Sequence, residues 1–321
     1  MPHGTPETPS VIYRRRVPEE RITVEVEGRR LGLSNLDKVL YPAHGFTKRE
    51  VLDYYRRIAP VMLPHLRDRA ATFRRFPDGV DGEPFYEKNV SRHAPDWVRT
   101  ARLTNRGRRG GEETLDYPVV GDLPTLMWAA NLAALELHIP QWTVGPRGAR
   151  KSPDLLVFDL DPGPPADVVD CCRVAETLSD LLIGDGLTVY AKTSGNKGMQ
   201  LYCPVRTRSG ERTSEYAKAV AEELARRSPE TIVAKMTKAI RPGRVFIDWS
   251  QNNTAKTTIA PYSLRGRAVP TVSTPVTWEE VEACRKAADL LFTAEQVLER
   301  VEEMGDLFGD IAEHRVAVPQ R

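Results

Sequence analysis

The sequence lacks any apolar run of the roughly 20 residues that a membrane-spanning helix requires. Its best candidate, residues 126–139, is shorter and carries Asn131, Glu136 and His138, so it is typical of a buried helix. The first ten residues show no basic-then-apolar export pattern. We therefore expect no membrane contact, a flexible polar tail over residues 1–20, and a cytoplasmic protein.

Cysteine is also scarce, and the sequence contains only Cys171, Cys172, Cys203 and Cys284. These four show no CxxC pair and no spacing of the kind that binds zinc. We predict that all four are reduced and structural.

Acidic charge is concentrated near the end of the chain, where residues 279–313 hold eleven acids and three bases, a net of −8. Because the whole chain has a formal net charge of +2, the remainder carries +10. Basic clusters lie at residues 14–16, 74–75, 106–109, 147–151 and 241–267. Such clusters could line a groove for a polyanion such as a nucleic acid, although solvated surface charge is the alternative.

Two aspartates end an apolar segment, LLVFDLDPGP at residues 155–164. In a strand, side chains two residues apart share a face and lie roughly 6.5 Å apart, so Asp159 and Asp161 could bind one hard cation or bridge two. The alternative is structural: Asp161 caps a helix beginning near Ala166, and Asp159 binds a backbone amide.

A second apolar segment, VFIDW at residues 245–249, presents Asp248. Phosphoryl or nucleotidyl transfer often uses two divalent ions about 3.5–4 Å apart, and several converging carboxylates are needed to hold them. Oxygen ligands of this kind suit Mg²⁺ or Mn²⁺. The alternative for Asp248 is a strand-end residue satisfied by a loop amide.

The SGNKG turn, Ser194–Gly198, is small enough to direct backbone amides inward as an anion site. The Ser194 hydroxyl and the Lys197 ammonium would complete a triphosphate cradle, unless the turn is an ordinary glycine-rich hairpin. It is not a P-loop, because the GxxxxGK[ST] spacing is absent. Downstream, Arg265 and Arg267 share a face if their strand continues, and would suit phosphate oxygens, or else they are exposed edge residues.

Adjacent aromatic residues Phe85 and Tyr86 combine with nearby Arg74 and Arg75 into a pattern that is useful for binding unpaired bases. The alternative is that at least one ring belongs to the core. His138, on its expected apolar helix, would be a satisfied core histidine.

Hydrophobic periodicity predicts an α+β fold. A hairpin over residues 21–33 turns at Gly28, Ser34 caps a short helix, and Thr47 with Glu50 caps a helix that Pro60 ends. A basic Gly/Pro stretch at 145–153 is the best candidate for a subdomain boundary. Beyond it we expect a strand at 155–160, a helix at 166–183, a hairpin at 187–205, a helix at 214–227, strands near 231–235, 244–249 and 257–264, and two capped acidic helices.

Six collinear motifs give these features a common context: LSNLDKVLYP, FYEKN, LELHIPQW, LVFDLDPGP, TSGNKGMQLY and VFIDWSQNNTAKTTIAPYSLRGR. From about Ile22 to Phe308 the chain resembles the polymerase domain of bacterial ligase D, a member of the archaeo-eukaryotic primase superfamily. The resemblance implies a primase-like α+β fold, with mixed sheets and flanking helices around a central active-site cleft. It also implies one primase-polymerase domain over residues 21–321, with an N-terminal subdomain at about 21–150 and a catalytic subdomain at about 151–321.

The resemblance also implies roles for particular residues. It implies that two Mn²⁺ or Mg²⁺ ions are bound by Asp159, Asp161 and Asp248. The implied nucleotide contacts are Ser194, Lys197, Gln200, Arg265 and Arg267, with His138 and Gln251 near the incoming nucleotide. The implied DNA contacts are Lys38 and Lys48 at a 5′-phosphate, and Arg74, Arg75, Phe85 and Tyr86 facing the template.

One position departs from the family pattern SGxKGxH, because Gln200 occupies the histidine slot. Histidine can be cationic and bind a phosphate oxygen with charge assistance, whereas glutamine offers a neutral amide donor. We expect activity to be retained with poorer nucleotide affinity, and Gln200→His to strengthen nucleotide binding.

The function implied by the resemblance is a DNA-dependent nucleotidyltransferase of DNA repair. It adds nucleotides, preferably ribonucleotides from nucleoside triphosphates, at DNA gaps and breaks bearing a 5′-phosphate, alongside an end-binding protein and a DNA ligase at the nucleoid. One alternative is a DNA-end binding module with decayed catalysis. Another alternative is a haloacid-dehalogenase-like phosphatase. Pro162 and Gly163 count against it, because that family needs a polar hydroxyl residue at this position.

Overall fold

The computed structural model describes residues 21–106 and 111–321, so the predicted tail over residues 1–20 and most of the 106–109 cluster lie outside the described residues. The strands before the cleft carboxylates are β1 (Arg21–Val26), β2 (Arg29–Ser34), β3 (Val39–Tyr41), β4 (Phe46–Thr47), β5 (Thr72–Arg75), β6 (Phe85–Glu87), β7 (Thr100–Arg106), β8 (Glu112–Pro118), β9 (Ala134–Ile139), β10 (Trp142–Val144) and β11 (Arg150–Pro153). The later strands are β12 (Leu155–Pro162), β13 (Tyr190–Thr193), β14 (Met199–Arg206), β15 (Ile232–Val233), β16 (Val245–Asp248), β17 (Thr258–Ile259), β18 (Pro275–Val276) and β19 (Val316–Ala317). The α-helices are α1 (Lys48–Leu66), α2 (Leu123–Asn131), α3 (Val168–Gly184), α4 (Gly210–Arg227), α5 (Trp278–Ala283) and α6 (Ala294–Met304).

Two antiparallel-rich sheets organise the molecule. The first has four strands in the order β17-β9-β5-β6, and α1 and α2 contribute side chains to the core beside it. The second has seven strands in the order β15-β16-β12-β14-β13-β18, with β19 paired to β14. This arrangement of mixed strands and helices confirms the α+β prediction.

Strand β12 explains how the second sheet presents polar side chains. Its side chains alternate between the two faces of the sheet. Leu156, Phe158 and Leu160 enter a core that also contains residues of α3 and α4. The intervening Asp159 and Asp161 therefore lie on the opposite face, which borders a cleft shared with the first sheet.

Several local predictions are confirmed. The first hairpin turns at Gly28, whose φ of +75° is the left-handed conformation that glycine adopts without strain. The capping boxes of Thr47, Thr277 and Thr293 all form at the starts of α1, α5 and α6. All four cysteines are buried free thiols.

The helix predicted over residues 126–139 is wrong in its second half. Helix α2 ends at Asn131, Ala133 adopts a φ of +56°, and Ala134–Ile139 forms β9. This strand pairs with β5 on one side and β17 on the other. Pairing with two strands distant in sequence therefore overrides the local helical pattern. His138 consequently lies on a strand that borders the cleft.

Two further predictions are wrong. No helix follows Ser34; Asn35 turns the chain with a φ of +54° and β3 pairs with β4 instead. Helix α1 does not end at Pro60 but continues to Leu66. A proline inside a helix costs about 3 kcal/mol, whereas burying one large apolar side chain contributes about 1.5–3 kcal/mol, so the buried face of α1 outweighs that cost.

The first core joins residues 31–139 to later residues such as Tyr262, Val272 and Val297. The division of the domain near residue 150 stays a prediction. No helix in the described ranges has both the length and the apolar content to cross a bilayer.

Candidate active site

One cleft, of about 460 Å³, lies between the two sheets. The first sheet contributes residues of β5, β6, β9 and β17, and the second contributes residues of β12 and β14. Its lining includes Thr72, Tyr86, Lys88, His138, Asp159, Asp161, Ser194, Asn196, Gln200, Gln251, Lys256, Thr258 and Arg265. Eight of the predicted site residues therefore border one cavity.

The three predicted aspartates share one face of the second sheet. Strands β12 and β16 pair so that Asp159 lies directly opposite Asp248. Directly opposed residues have Cβ atoms about 4.5–5.5 Å apart, and Asp161 lies on the same face two residues further along β12. The cross-strand register thus brings together carboxylates that are remote in the sequence.

Asp159 sits in an environment that disfavours its charge. Burial, followed by the nearby Asp161 and Asp248 carboxylates, raises its pKa to about 7. The Gln200 Nε2 atom donates a hydrogen bond to Asp159 Oδ1 over 3.0 Å and offsets part of this rise. Without a bound cation, the ionised form of the Asp159 carboxyl group is therefore destabilised.

Asp248 also has a structural role, as the alternative interpretation predicted. It caps the 3₁₀ turn Trp249–Asn252, because its Oδ1 accepts a hydrogen bond from the Ser250 amide over 3.1 Å. Gln251 Nε2 donates to its Oδ2 over 2.9 Å. Across residues 21–106 and 111–321, no group of three His, Cys, Asp or Glu side chains is close enough to hold a metal ion as positioned.

In the SGNKG turn, the Ser194 side chain forms hydrogen bonds with backbone amides of the same turn. The Ser194 hydroxyl oxygen accepts hydrogen bonds from the amides of Asn196 and Gly198, so these amides are not directed into open space. Lys197 donates to the carbonyl of Pro162 over 3.2 Å, which ties the turn to the end of β12. A Cβ at Gly198 would lie 2.2 Å from the Leu160 carbonyl oxygen, so only glycine fits this approach.

Arg265 and Arg267 do not lie on one strand face, and that expectation is wrong. Strand β17 ends at Ile259, and Tyr262 with a φ of +65° turns the chain away from the sheet. Arg265 is partly buried and borders the cleft, whereas Arg267 is exposed and hydrogen-bonded to Asn196. Through Asn196, Arg267 nevertheless reaches the SGNKG turn.

Glu136 is an organising residue that the sequence analysis missed. Its buried carboxylate accepts from His138 Nε2 over 2.9 Å and from the Gly266 amide over 3.0 Å, and Arg74 and Arg265 lie 3.1 and 3.6 Å away. Although burial opposes it, His138, Arg265 and the Gly266 amide lower the Glu136 pKa to about 2. Reading LELHI as a strand would have placed Glu136 and His138 on one face.

His138 is predominantly neutral at pH 7. Burial lowers its pKa more than the adjacent Glu136 carboxylate raises it. Because the carboxylate accepts the hydrogen bond, Nε2 carries the proton.

The sequence analysis also did not select Lys192 as a site residue. Its position within the short strand YAKT was a signal, because a lysine in a strand that is otherwise largely apolar is unusual. It lies opposite Gln200, which in turn lies opposite Asp159, so the three share a row across the sheet. Its ammonium is fully buried and donates to Ser273 Oγ over 2.5 Å. Burial lowers the pKa of Lys192 well below its usual range, with partial compensation from Asp159.

A second cavity, of about 520 Å³, lies beside the β1–β2 hairpin. Lys38 and Lys48 both line it, together with Arg21, Arg30, Arg75 and His93. Lys38 pairs with Asp78 at 3.0 Å, and the buried Lys48 donates to the Ser34 carbonyl over 2.7 Å. The predicted phosphate lysines therefore share a basic cavity.

The predicted aromatic and arginine residues pair across β5 and β6. Arg74 lies opposite Tyr86 and Arg75 opposite Phe85, with each guanidinium within 6 Å of the facing ring. Both rings are exposed, Phe85 at 43% and Tyr86 at 57%, so they are not core residues. Exposed rings next to guanidinium groups suit stacking with unpaired bases.

Comparisons with known proteins identify the family to which this chain belongs. The family described as LigD, primase-polymerase domain, matches residues 47–308. The multifunctional non-homologous end joining protein LigD of Mycolicibacterium smegmatis is 44% identical over 283 residues, which are 88% of this chain and 36% of that protein. The bifunctional LigD of Bacillus subtilis is 33% identical, over 88% of this chain and 44% of that protein.

A solved structure is also similar. The polymerase domain from Mycobacterium tuberculosis ligase D in complex with DNA superposes with a TM-score of 0.82 at 41% identity, covering 88% of this chain and 98% of that domain. The present chain spans about a third of the length of the mycobacterial LigD proteins that it matches. Shared sequence and fold place this chain in the LigD primase-polymerase family of metal-dependent nucleotidyltransferases.

Proposed function

We propose that this chain is a template-directed polymerase with primase-like activity. It adds nucleotides, preferably ribonucleotides, at DNA gaps and ends that carry a 5′-phosphate. The observation that supports this most strongly is the strand register, by which Asp248 shares one face of the second sheet with Asp159 and Asp161, the two aspartates that border the cleft. That face lies beside polar residues suited to a nucleotide and next to exposed aromatic residues suited to a template.

Two divalent ions, Mn²⁺ or Mg²⁺, are assigned to the three aspartates. The crowding of these carboxylates supports the fit, because Asp161 and Asp248 add to burial in raising the pKa of Asp159 to about 7, and cations would relieve that repulsion. A donor set made only of carboxylates suits these hard ions. When bound, the ions would lower the pKa of the primer 3′-hydroxyl and neutralise charge on the triphosphate.

The nucleotide is assigned to the residues around the SGNKG turn. Ser194, Gln251 and Arg265 border the cleft, and His138 faces it from the first sheet. Lys197 and Arg267 flank the turn and supply positive charge for the triphosphate. Glu136 positions Arg265 and His138, which keeps a fixed cation and a neutral imidazole on the wall of the cleft.

DNA is assigned to the surfaces beside the cleft. Lys38 and Lys48 would bind the 5′-phosphate in the basic cavity, where Lys38 is the more accessible of the two. Arg74, Arg75, Phe85 and Tyr86 would support the template by stacking and charge.

The relatives are end-joining proteins by name, and we extend that setting to this chain as part of the proposal. The chain would act in DNA repair by non-homologous end joining, in the cytoplasm at the nucleoid. An end-binding protein and a DNA ligase would be its partners, because a filled gap requires both held ends and a sealing step.

Primer extension on a 5′-phosphorylated gap tests the proposal, with Mg²⁺ against Mn²⁺ and ribonucleotides against deoxyribonucleotides. We expect Asp159→Ala or Asp161→Ala to abolish incorporation, because each removes an assigned metal ligand, while the circular dichroism spectrum stays unchanged. Asp180→Ala, at an exposed position on α3, is the matched control and should retain activity.

Full extension by either active-site variant would contradict the metal assignment. Retention of gapped DNA by the wild-type protein without any product would instead identify a DNA-end binding module that has lost catalysis.

A further inference from the structure

A line of hydrogen bonds runs from the first sheet to Asp159. Gln141 Nε2 donates to Thr258 Oγ1 over 2.8 Å, and Thr258 shares a 2.7 Å hydrogen bond with the Tyr202 hydroxyl. Tyr202 donates to Gln200 Oε1 over 3.2 Å. Gln200 Nε2 then donates to Asp159 Oδ1 over 3.0 Å. Three contacts therefore link Thr258, in β17 of the first sheet, to the Asp159 carboxylate of the second, and a fourth anchors Thr258 to Gln141.

The direction of this line follows from the number of protons available. Each hydroxyl has one proton to donate. If Tyr202 donates to Gln200, then Thr258 must donate to Tyr202, and Gln141 supplies the donor that Thr258 accepts. The opposite direction at Tyr202 would leave Gln200 Oε1 without this donor. Each hydrogen bond in the line therefore has its donor on the Gln141 side and its acceptor on the Asp159 side.

The same line fixes the orientation of the Gln200 amide. With Oε1 held by Tyr202, the amide nitrogen faces Asp159. A reversed amide would set its oxygen against an ionised carboxylate. Gln141, Tyr202, Thr258 and Gln200 are all buried, with at most 4% of their surface exposed, so water competes little for these hydrogen bonds.

We propose that Gln200 is a positioning residue for Asp159. Tyr202 and Thr258 hold its amide, whose N–H fixes one carboxylate oxygen and leaves the other oriented toward a divalent ion. This inference rests on the assignment of Asp159 to the metal in the proposed function. It differs from the direct phosphate contact that the sequence predicts for Gln200, because it gives the amide a task that does not involve the nucleotide.

Tyr202→Phe tests the inference without changing a group that faces the nucleotide. The Tyr202 ring packs with Val157 and Phe308 behind Gln200, and phenylalanine keeps that packing. Tyr190→Phe is a matched control, since Tyr190 packs against Phe308 in the same cluster but donates its hydroxyl to Asp310. Mn²⁺ binding to the protein without nucleotide or DNA is measured from the electron paramagnetic resonance signal of free Mn²⁺.

Loss of a hydrogen bond to a metal-ligating group typically weakens metal binding about 10- to 100-fold. We expect Tyr202→Phe to weaken Mn²⁺ binding about 10-fold and Tyr190→Phe to leave it unchanged. At saturating Mn²⁺, the nucleotide KM of Tyr202→Phe should stay within about 2-fold of the wild-type value, because no phosphate contact is lost.

A second variant keeps the test decisive if Tyr202→Phe does not fold. Gln200→Leu removes the donor itself and should weaken Mn²⁺ binding at least as much as Tyr202→Phe. In the double variant the two losses should not add, because both act through one hydrogen bond to Asp159.

Unchanged Mn²⁺ affinity in Tyr202→Phe and Gln200→Leu would overturn the inference. A raised nucleotide KM at unchanged Mn²⁺ affinity would also overturn it, and would restore the phosphate contact. A wild-type protein that binds no Mn²⁺ would overturn the metal assignment itself. Failure of the inference alone is therefore distinguishable from failure of the proposed function.

Discussion

Among single residues, Asp159 combines the clearest functional signal with a cost to the fold. Its carboxylate is half-buried on the cleft face of β12, opposite Asp248 and near Asp161. A partly desolvated carboxylate beside two others is destabilising without a cation, and sites that bind ligands commonly carry such a cost. The metal-free protein should therefore reveal Asp159 through the pH dependence of its stability.

We expect Asp159 to make the metal-free protein progressively less stable, relative to Asp159→Asn, as the pH rises from about 4 to 7. The folded pKa of Asp159 is raised to about 7, whereas an unfolded aspartate titrates near 3.9. The fold therefore retains a proton that the unfolded chain releases, and its contribution is complete below pH 4 and lost as pH passes 7. Asp159→Asn should be the more stable protein at pH 8, by on the order of a few kcal/mol.

Thermal melting in the presence of a chelator, from pH 4 to 8, measures this effect. Asp180→Asn, at an exposed position, is the control and should follow the wild-type curve. Parallel curves for wild type and Asp159→Asn would show that Asp159 keeps an ordinary pKa.

Residue-level reasoning from the sequence found the three aspartates because each ends an apolar strand. It missed Glu136 because LELHI was taken for a helix, in which residues two apart do not share a face. It missed the role of Lys192 because its neighbours Gln200 and Asp159 belong to other strands. Partners across a sheet depend on register, which a single sequence does not reveal.

At the scale of elements, the SGNKG turn and the end of β12 are built as a unit. Gly198 approaches the Leu160 carbonyl closely, and Lys197 binds the Pro162 carbonyl. Movement of the turn would therefore displace Ser194 from the carboxylates on β12.

Gly198→Ala should disturb this unit. Its Cβ would lie 2.2 Å from the Leu160 carbonyl oxygen, so the turn and strand must separate. We expect a loss of about 1–3 kcal/mol in the free energy of unfolding and a sharp loss of incorporation. Gly184→Ala, where a Cβ meets nothing within 4 Å, is the control for denaturant unfolding. Equal stability and activity in both variants would show that the turn tolerates displacement.

Elements with local signals were predictable and elements formed by distant pairing were not. Capping boxes and the Gly28 turn involve residues a few positions apart, so the sequence contains the whole signal. Strand β9 and the early end of β17 depend on neighbours more than 60 residues away along the chain. Local helical patterning at 132–139 could not reveal them.

For the whole molecule, the β5–β6 hairpin separates two sites. Tyr86 borders the cleft between the two sheets, whereas Arg75 lines the basic cavity beside the β1–β2 hairpin. One hairpin therefore contributes a side chain to each of the two sites. On the proposed assignments, a template would pass between the nucleotide and the bound DNA end. Membership of the primase-polymerase family makes the phosphatase alternative wrong.

Lys38→Glu should weaken binding to gapped DNA with a 5′-phosphate about 10-fold or more, and should affect hydroxyl-ended DNA much less. The reversed charge would repel the terminal phosphate in the basic cavity. Lys48 is less suitable for this test because it is buried. Fluorescence anisotropy at fixed salt measures both affinities, with the exposed Lys286→Glu as control. An equal loss on both DNAs would indicate only a general electrostatic effect.

The most direct test of the central claim is the number of Mn²⁺ ions bound with a non-hydrolysable nucleoside triphosphate, measured by calorimetry. Asp159, Asp161 and Asp248 should together hold two ions per chain, and Asp161→Ala should hold fewer. Two ions in Asp161→Ala, or none in the wild-type protein, would contradict the account.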